Sequence, residues 1–338
     1  MPDVVLVTGA GRFLGAHLAG RLAANPAVGR VIGVDAVAPG RELLRRMGTA
    51  EFVRADIRSP QIAKVVDGAA PDVVVHAAVH QLPGPEGRSA TKEANVIGTM
   101  QLLAACQQSA AVRKIVLKST SAVYGSSSRD PAVFTEDMEP KDLPSSGFAK
   151  DAVEIEGYVR GFGRRRPEVG ITTLRFAPLV GPRIDAMLTR YFGPPAVPAV
   201  LGYDARLQLL HTEDALAVLE RAAVGDLAGV YNVGGDGVVM LSQAIRRAGR
   251  FQVPLPRTGL GLLGGRRPEL GSEQLRFLHF GRVLDTRRLR ERFGFAPRWT
   301  SRQAFDDFVS GRGLRPVLDP ERLQEVERGL VGALARFG

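Results

Sequence analysis

Thr8-Gly9-Ala10-Gly11-Arg12-Phe13-Leu14-Gly15 is the stretch that decides the fold. It follows residues 4–8 (VVLVT), a valine-rich run with the composition of a buried strand. It opens residues 13–24, where Phe13, Leu14, His17, Leu18 and Leu22 recur at helical spacing. Glycines permit a tight turn between strand and helix. The first N–H groups of the helix have no partners inside it and can hold a pyrophosphate. Twenty residues after Gly15, at the end of a second strand pattern (30–35, RVIGVD), stands Asp35. A carboxylate there accepts hydrogen bonds from an adenosine ribose and repels a 2′-phosphate, which selects NAD over NADP. Gly9, Gly11, Arg12, Phe13, Leu14, Gly15 and Asp35 are therefore candidate cofactor-binding residues.

Outward from this unit the alternation continues. Residues 51–55, 72–77, 114–118, 171–176 and 230–233 read as strands. Residues 92–108, 148–162 and 213–223 read as helices. Short valine-rich runs alternating with helices predict an α/β fold of Rossmann type, a doubly wound parallel sheet covered on both faces. From Ala177 proline and glycine become frequent, so the chain is expected to leave the sheet there. The expected division is a dinucleotide-binding domain, 1–176 and 211–234, and a smaller, mostly C-terminal substrate part, 177–210 and 235–338. Residues 252–272 read as loop, and residues 285–292 begin a helix. Asp319-Pro320 opens a last helix, with an N-cap and a proline at the first helical position.

Composition narrows the class. The 338 residues are 45% apolar and 24% charged, which excludes a disordered or collagen-like chain. No apolar run approaches the ~18 residues of a membrane span, and no signal-peptide pattern opens the chain. With a single cysteine, Cys106, an intramolecular disulfide and a cysteine-cluster metal site are excluded, so no metal is expected. A cytoplasmic location fits. The net charge is +10, carried by 39 arginines and six lysines. These are dispersed, with no aromatic-rich basic segment, so nucleic acid is not an expected partner.

Further motifs extend the pattern. Asp56-Ile57 follows the third strand, and His76-Ala77-Ala78 ends the fourth. Asn95-Val96-Ile97-Gly98-Thr99 lies on the long helix. Ser119-Thr120-Ser121-Ala122-Val123-Tyr124-Gly125 follows the fifth strand. His211-Thr212-Glu213-Asp214 and Tyr231-Asn232-Val233-Gly234 complete the set, with residues 285–299 beyond. Together these resemble the extended short-chain dehydrogenase/reductases, in particular the NAD-dependent epimerase/dehydratases, over nearly the whole chain. The resemblance implies NAD contacts at Asp56, Ile57, His76, Ala77, Ala78 and Asn95. It implies a homodimer formed by helices 92–108 and 148–162. It also implies proton chemistry by a tyrosine and a lysine spaced YxxxK, with a serine or threonine hydroxyl sharing the substrate oxygen.

Three departures stand out. The family's GxxGxxG becomes Gly9, Arg12 and Gly15; Arg12 either clamps the pyrophosphate or crowds it. Thr120 matches the hydroxyl and Lys150 the lysine, which would also hold the nicotinamide ribose, but Ser146 stands where the tyrosine belongs. A serine hydroxyl is shorter and titrates far above a phenol's ~10. Tyr124, His80 or a water held by Ser146 are the substitutes considered for the base. On the substrate side, Pro178 replaces an expected asparagine, and Leu207 a diphosphate-gripping arginine, with Arg206 one step away. Thr120, Ser121, Arg206 and Arg282 are the candidate substrate contacts, with Arg276 a looser one. Two functions follow: an NAD-dependent epimerase/dehydratase-like oxidoreductase acting on a sugar nucleotide or related hydroxylated small molecule, or a catalytically inactive NAD-binding sensor or assembly protein.

Overall fold

The computed structural model describes residues 2–84, 86–256 and 271–314. Its centre is a seven-stranded parallel sheet. Six strands come first in the chain: β1 (Val4–Thr8), β2 (Arg30–Asp35), β3 (Glu51–Arg54), β4 (Val73–His76), β5 (Lys114–Thr120) and β6 (Gly170–Phe176). The seventh, Gly229–Val233, is called β11 for its place in the chain, and the spatial order is β11-β6-β5-β4-β1-β2-β3. The order reverses between β1 and β4, and in such sheets ligands bind in the crevice beyond the strand ends at that point.

Period-two alternation explains the two-sided core. Val5, Val7, Val73, Val75 and Val116 face one apolar cluster; Leu6, Val74, Ile115 and Leu117 face the other. The first cluster is closed by helices α1 (Phe13–Ala23) and α7 (Thr212–Val224). The second is closed by α3 (Gln61–Ala69), α4 (Gly87–Gln108) and α5 (Gly147–Arg165). Leu6, Leu18 and Leu22 are fully buried, each worth about 1.5–3 kcal/mol against exposure.

Helix α2 (Arg41–Arg46) and α3 were not expected from periodicity: both are short, and α2 buries no residue. Helix α5 runs past the predicted end, so Arg164 and Arg165 close it rather than follow it. Arg166 then donates from Nη1 to the carbonyls of Cys106, Gln107 and Ser109, capping the end of α4.

Beyond the sheet lie short strands β7 (Leu179–Val180), β8 (Ala196–Val200), β9 (Arg206–Leu207), β10 (Leu210–His211), β12 (Val239–Met240), β13 (Phe251–Leu255) and β14 (Gly281–Arg282). Helices α6 (Met187–Tyr191), α8 (Leu241–Arg247), α9 (Ser272–Phe280), α10 (Arg287–Glu291) and α11 (Ser301–Gly311) accompany them. A third apolar cluster, including Tyr191, Phe192, Leu207, Phe277, Phe305 and Phe308, holds them together. The expected loop 252–272 is corrected at its start. β13 pairs parallel to β8 despite Pro254, because an edge strand tolerates a missing N–H. Residues 257–270 and the expected helix from Asp319 lie outside the described residues.

Candidate functional site

A cleft of about 640 Å³ opens at the carboxyl ends of β1, β4, β5 and β6. One wall is the β1–α1 turn, with Gly9, Arg12, Phe13, Leu14 and Gly15. Gly9 has φ +80°, a left-handed value that favours glycine. A Cβ on Gly15 would stand 2.2 Å from the Gly9 carbonyl oxygen, so the helix enters the turn as closely as backbone allows. Arg12, by contrast, has φ −117° and ψ 165°, extended backbone open to any residue. The turn therefore needs no glycine there, and the Arg12 side chain lines the cleft. No side chain caps the first turn of α1 and no acidic residue occupies it. That leaves its N–H groups and dipole for an anion.

Asp35 stands at the end of β2, outside the cleft proper. Its carboxylate accepts from Gly11 N (3.0 Å) and Val37 N (3.1 Å), and it remains half-buried at the crevice edge. Asp56 is held by the guanidinium of Arg58, which keeps its carboxyl below the usual range. Ile57 packs on Gly98 of α4, where an added Cβ would lie 2.7 Å from it.

The sequence places His76 beside the cofactor, but its ring is sealed inside the sheet. Nδ1 meets Thr8 Oγ1 and Nε2 meets Thr99 Oγ1, both at 2.8 Å. Burial, with Lys118 nearby, pushes its pKa down to about 3. Asn95 is also fully buried and acts from behind the wall. Its amide brackets His80, accepting from the backbone N (2.8 Å) and donating to the carbonyl (2.9 Å). Ala77 lines the cleft, and the Ala77–Ala78 backbone closes against Gly9. His80, named above as a substitute base, lines the cleft. Burial, Arg12 and Lys118 hold its pKa well below the ordinary value.

Strand β5 extends two residues past its predicted end, and this orients the chemistry. Lys118 and Thr120, two apart, emerge on one face into the cleft. Thr120 Oγ1 accepts from Ala122 N (3.2 Å), which leaves its proton to donate. Lys118 donates from Nζ to the Val79 carbonyl (2.7 Å). Burial and the Arg12 charge bring its pKa down to about 8.

Ser119 turns the other way, into a buried network. It donates to Glu156 (2.6 Å), and Arg175 forks onto the same carboxylate at 2.7 Å. Arg175 also donates to the Tyr124 hydroxyl (2.8 Å), which donates in turn to Asn232 (2.8 Å). Tyr124 is thus corrected from candidate base to scaffold: its hydroxyl is fully used, and burial raises its pKa. The motif residues Tyr124 and Asn232 lock β5, β6 and β11 together beneath Thr120. In the His211–Asp214 motif, Asp214 accepts from the backbone N of Arg298 and Trp299.

Ser146 and Lys150 do not reach this cleft. Ser146 is exposed at the start of α5, beside a separate small hollow shared with Ser126, Asp130 and Arg276. Lys150 is half-exposed and lies 3.9 Å from Glu154. Arg206 is exposed on β9 and lines neither recess. Ser121 and Arg282 do meet at the cleft: Arg282 Nη1 donates to Ser121 Oγ (3.2 Å), with Nε on the Gly125 carbonyl (2.7 Å). Burial lowers the Arg282 pKa to about 10.

Sequence reasoning missed the wall from α9: Glu273, Gln274 and Phe277. Phe277 packs beneath the Arg282 guanidinium, 5.3 Å from its ring centre. Only the loose alignments of Arg276 and Arg282 hinted that this segment returns to the site.

The model of the NAD-dependent epimerase/dehydratase family matches residues 5–234. An uncharacterized Mycobacterium tuberculosis protein is 54% identical over all of this chain and 91% of its own length. The Thermus thermophilus UDP-glucose 4-epimerase, solved with NAD, shares the fold (TM-score 0.72, 23% identity, 92% of this chain and 99% of that one). So does the Thermotoga maritima UDP-glucose 4-epimerase, solved with UDP-glucose (TM-score 0.71, 20% identity, 91% and 98%). With its parallel sheet, uncapped first helix and matching motifs, the chain belongs to the NAD-dependent epimerase/dehydratase family, whose cofactor is NAD.

Proposed function

We propose that this protein is an NAD-dependent oxidoreductase that acts on a sugar nucleotide. The observation that carries this reading is one continuous cleft. It joins the uncapped α1 terminus to the hydroxyls of Thr120 and Ser121. The residues fit the dinucleotide. The first turn of α1 and Arg12 would take the pyrophosphate, and Asp35 the adenosine ribose. NAD, when bound, supplies reversible acceptance of hydrogen from a carbinol carbon. Thr120 donates its hydroxyl proton to the substrate oxygen, and Arg282 holds Ser121 in place beside it. Lys118 and Arg12 make the wall cationic, which suits the diphosphate of a sugar nucleotide.

The exposed Ile97 and Met100 of α4 and Tyr158 of α5 support a homodimer through that helix pair. Among the described residues no helix is long and apolar enough to cross a membrane, and a cytoplasmic location remains part of the proposal.

A second reading, an NAD-binding sensor or assembly protein, draws on one observation: Ser146 and Lys150 both stand outside the cleft. The first test is nucleotide content, read by mass spectrometry after denaturation, followed by NAD titration. The NAD-loaded protein is then mixed with UDP-glucose, UDP-galactose and dTDP-glucose. Absorbance at 340 nm or epimerised product supports the enzyme. Tight NAD with neither favours the sensor.

A further inference from the structure

Two carboxylates line the cleft among the described residues, Asp185 and Glu273. Asp185 is paired with Arg190 at 2.5 Å. Glu273 has no ion pair within 4 Å among the described residues. It is only 8% exposed, and it belongs to α9, more than a hundred residues from the catalytic motif.

Its placement is specific. Glu273 Oε2 accepts from Ala149 N (3.1 Å), and a Cβ on Gly147 would lie 3.3 Å from the same oxygen. The carboxylate therefore sits over the first turn of α5, the turn that begins at Ser146. Ser146 makes no capping hydrogen bond of its own. One helical turn further along α9, Phe277 packs under Arg282, which holds Ser121. Helix α9 thus carries a carboxylate to the turn where the family's phenol would arise, beside the Ser121 end of the cleft.

We propose that Glu273 is the proton-accepting catalytic residue of this site, taking the place of the tyrosine absent at position 146. The proposal rests on the nucleotide-sugar reading. The substrate hydroxyl gives its proton to a Glu273 oxygen. The hydrogen on the same carbon leaves with its electron pair to the nicotinamide of bound NAD. The alcohol becomes a ketone, the nicotinamide is reduced, and neutral Glu273 returns the proton when the carbonyl is reduced again. The other cleft groups serve less well. His80 is a weak base between Arg12 and Lys118, and Lys118 is a cation at neutral pH.

Burial raises the Glu273 pKa above the ordinary glutamate value, the direction that makes a carboxylate a stronger base. Opposing it are Arg282 of β14, Arg276 of α9, Arg88 of α4 and the Ala149 N–H of α5. Asp130 and Asp142 line the hollow behind it, and Lys150 stands on the same turn of α5. The net direction is up, so activity falls as acid protonates Glu273.

The test uses the full NAD-loaded chain, with UDP-glucose and UDP-galactose as probes and 340 nm as the signal. Glu273→Gln keeps an oxygen for Ala149 N, so a purely capping role predicts a rate within threefold of wild type. The proposal predicts a kcat at least about 100-fold lower, KM within threefold, and loss of the acid limb of the pH profile. Glu273→Asp keeps that limb at reduced rate. As a readout apart from turnover, carbodiimide coupling of glycine ethyl ester to Glu273 is mapped by peptide mass spectrometry, with and without NAD and UDP-glucose. Shielding by the ligands is expected; coupling indifferent to them overturns the proposal, as does a Glu273→Gln enzyme with wild-type rate and pH profile. A wild type that binds NAD yet gives no signal overturns the nucleotide-sugar reading instead, and the shielding result alone then decides whether Glu273 faces the ligand.

Discussion

The motif residues divide between two regions that meet at β5. Beneath the cleft, Glu156, Arg175, Tyr124 and Asn232 form a closed set in which each polar group finds a protein partner. In the cleft, Arg12 and Thr120 face open space, and Lys118 meets only a backbone carbonyl. Adjacent residues of one strand supply both regions: Ser119 points down and Thr120 up. The contrast teaches that a matched motif is not a matched site. Part of this family's signature holds the sheet together, and another part lines the cleft.

Breaking the closed region should have the largest effect. Arg175→Met leaves the buried Glu156 carboxylate with only Ser119 and the more distant Arg160 (3.6 Å) and should cost about 3 kcal/mol, read as the urea midpoint. NAD affinity of the molecules that remain folded should change less than threefold. If stability is unaltered, the network is not what ties β5 to β6.

Gly15→Ala tests the boundary between the regions. Its methyl meets the Gly9 carbonyl, so about 1–3 kcal/mol of stability is lost and NAD affinity falls by more than tenfold. Unchanged NAD titration would show that the turn has slack.

His76, sealed between Thr8 and Thr99, carries a pH signature of its own. Its pKa is about 3 when folded and about 6.5 when unfolded. The unfolded chain therefore binds the extra proton. Stability is complete above about pH 6.5 and declines toward pH 3, by up to about 1.4 kcal/mol per pH unit. His76→Asn should flatten that slope in urea titrations. An unchanged slope would assign acid lability elsewhere.

The smallest effect is expected in the open region. Arg12→Gly removes a side chain with no packing role, so the thermal midpoint should hold while NAD affinity weakens about five- to twenty-fold. Tighter binding would mean that Arg12 crowds the pyrophosphate instead of clamping it.

By itself the sequence determined the sheet, its parallel sense and the nucleotide turn. Those rest on local periodicity: valines alternating in β1, β4 and β5, glycines at positions 9, 11 and 15, and an acid at 35. It also exposed the missing phenol, since Ser146 is read directly from spacing. Tertiary structure decided which polar residues face the ligand. His76 reads as a cofactor contact and Tyr124 as a base in one dimension, yet both prove sealed, because their partners Thr99 and Arg175 lie 23 and 51 residues away. Glu273 looks like an ordinary helix residue until α9 folds back over the first turn of α5, 124 residues from the amide it binds. A hydrogen bond's partner is set by where helices dock, and docking follows shape and apolar burial summed over the whole chain, which no local spacing records.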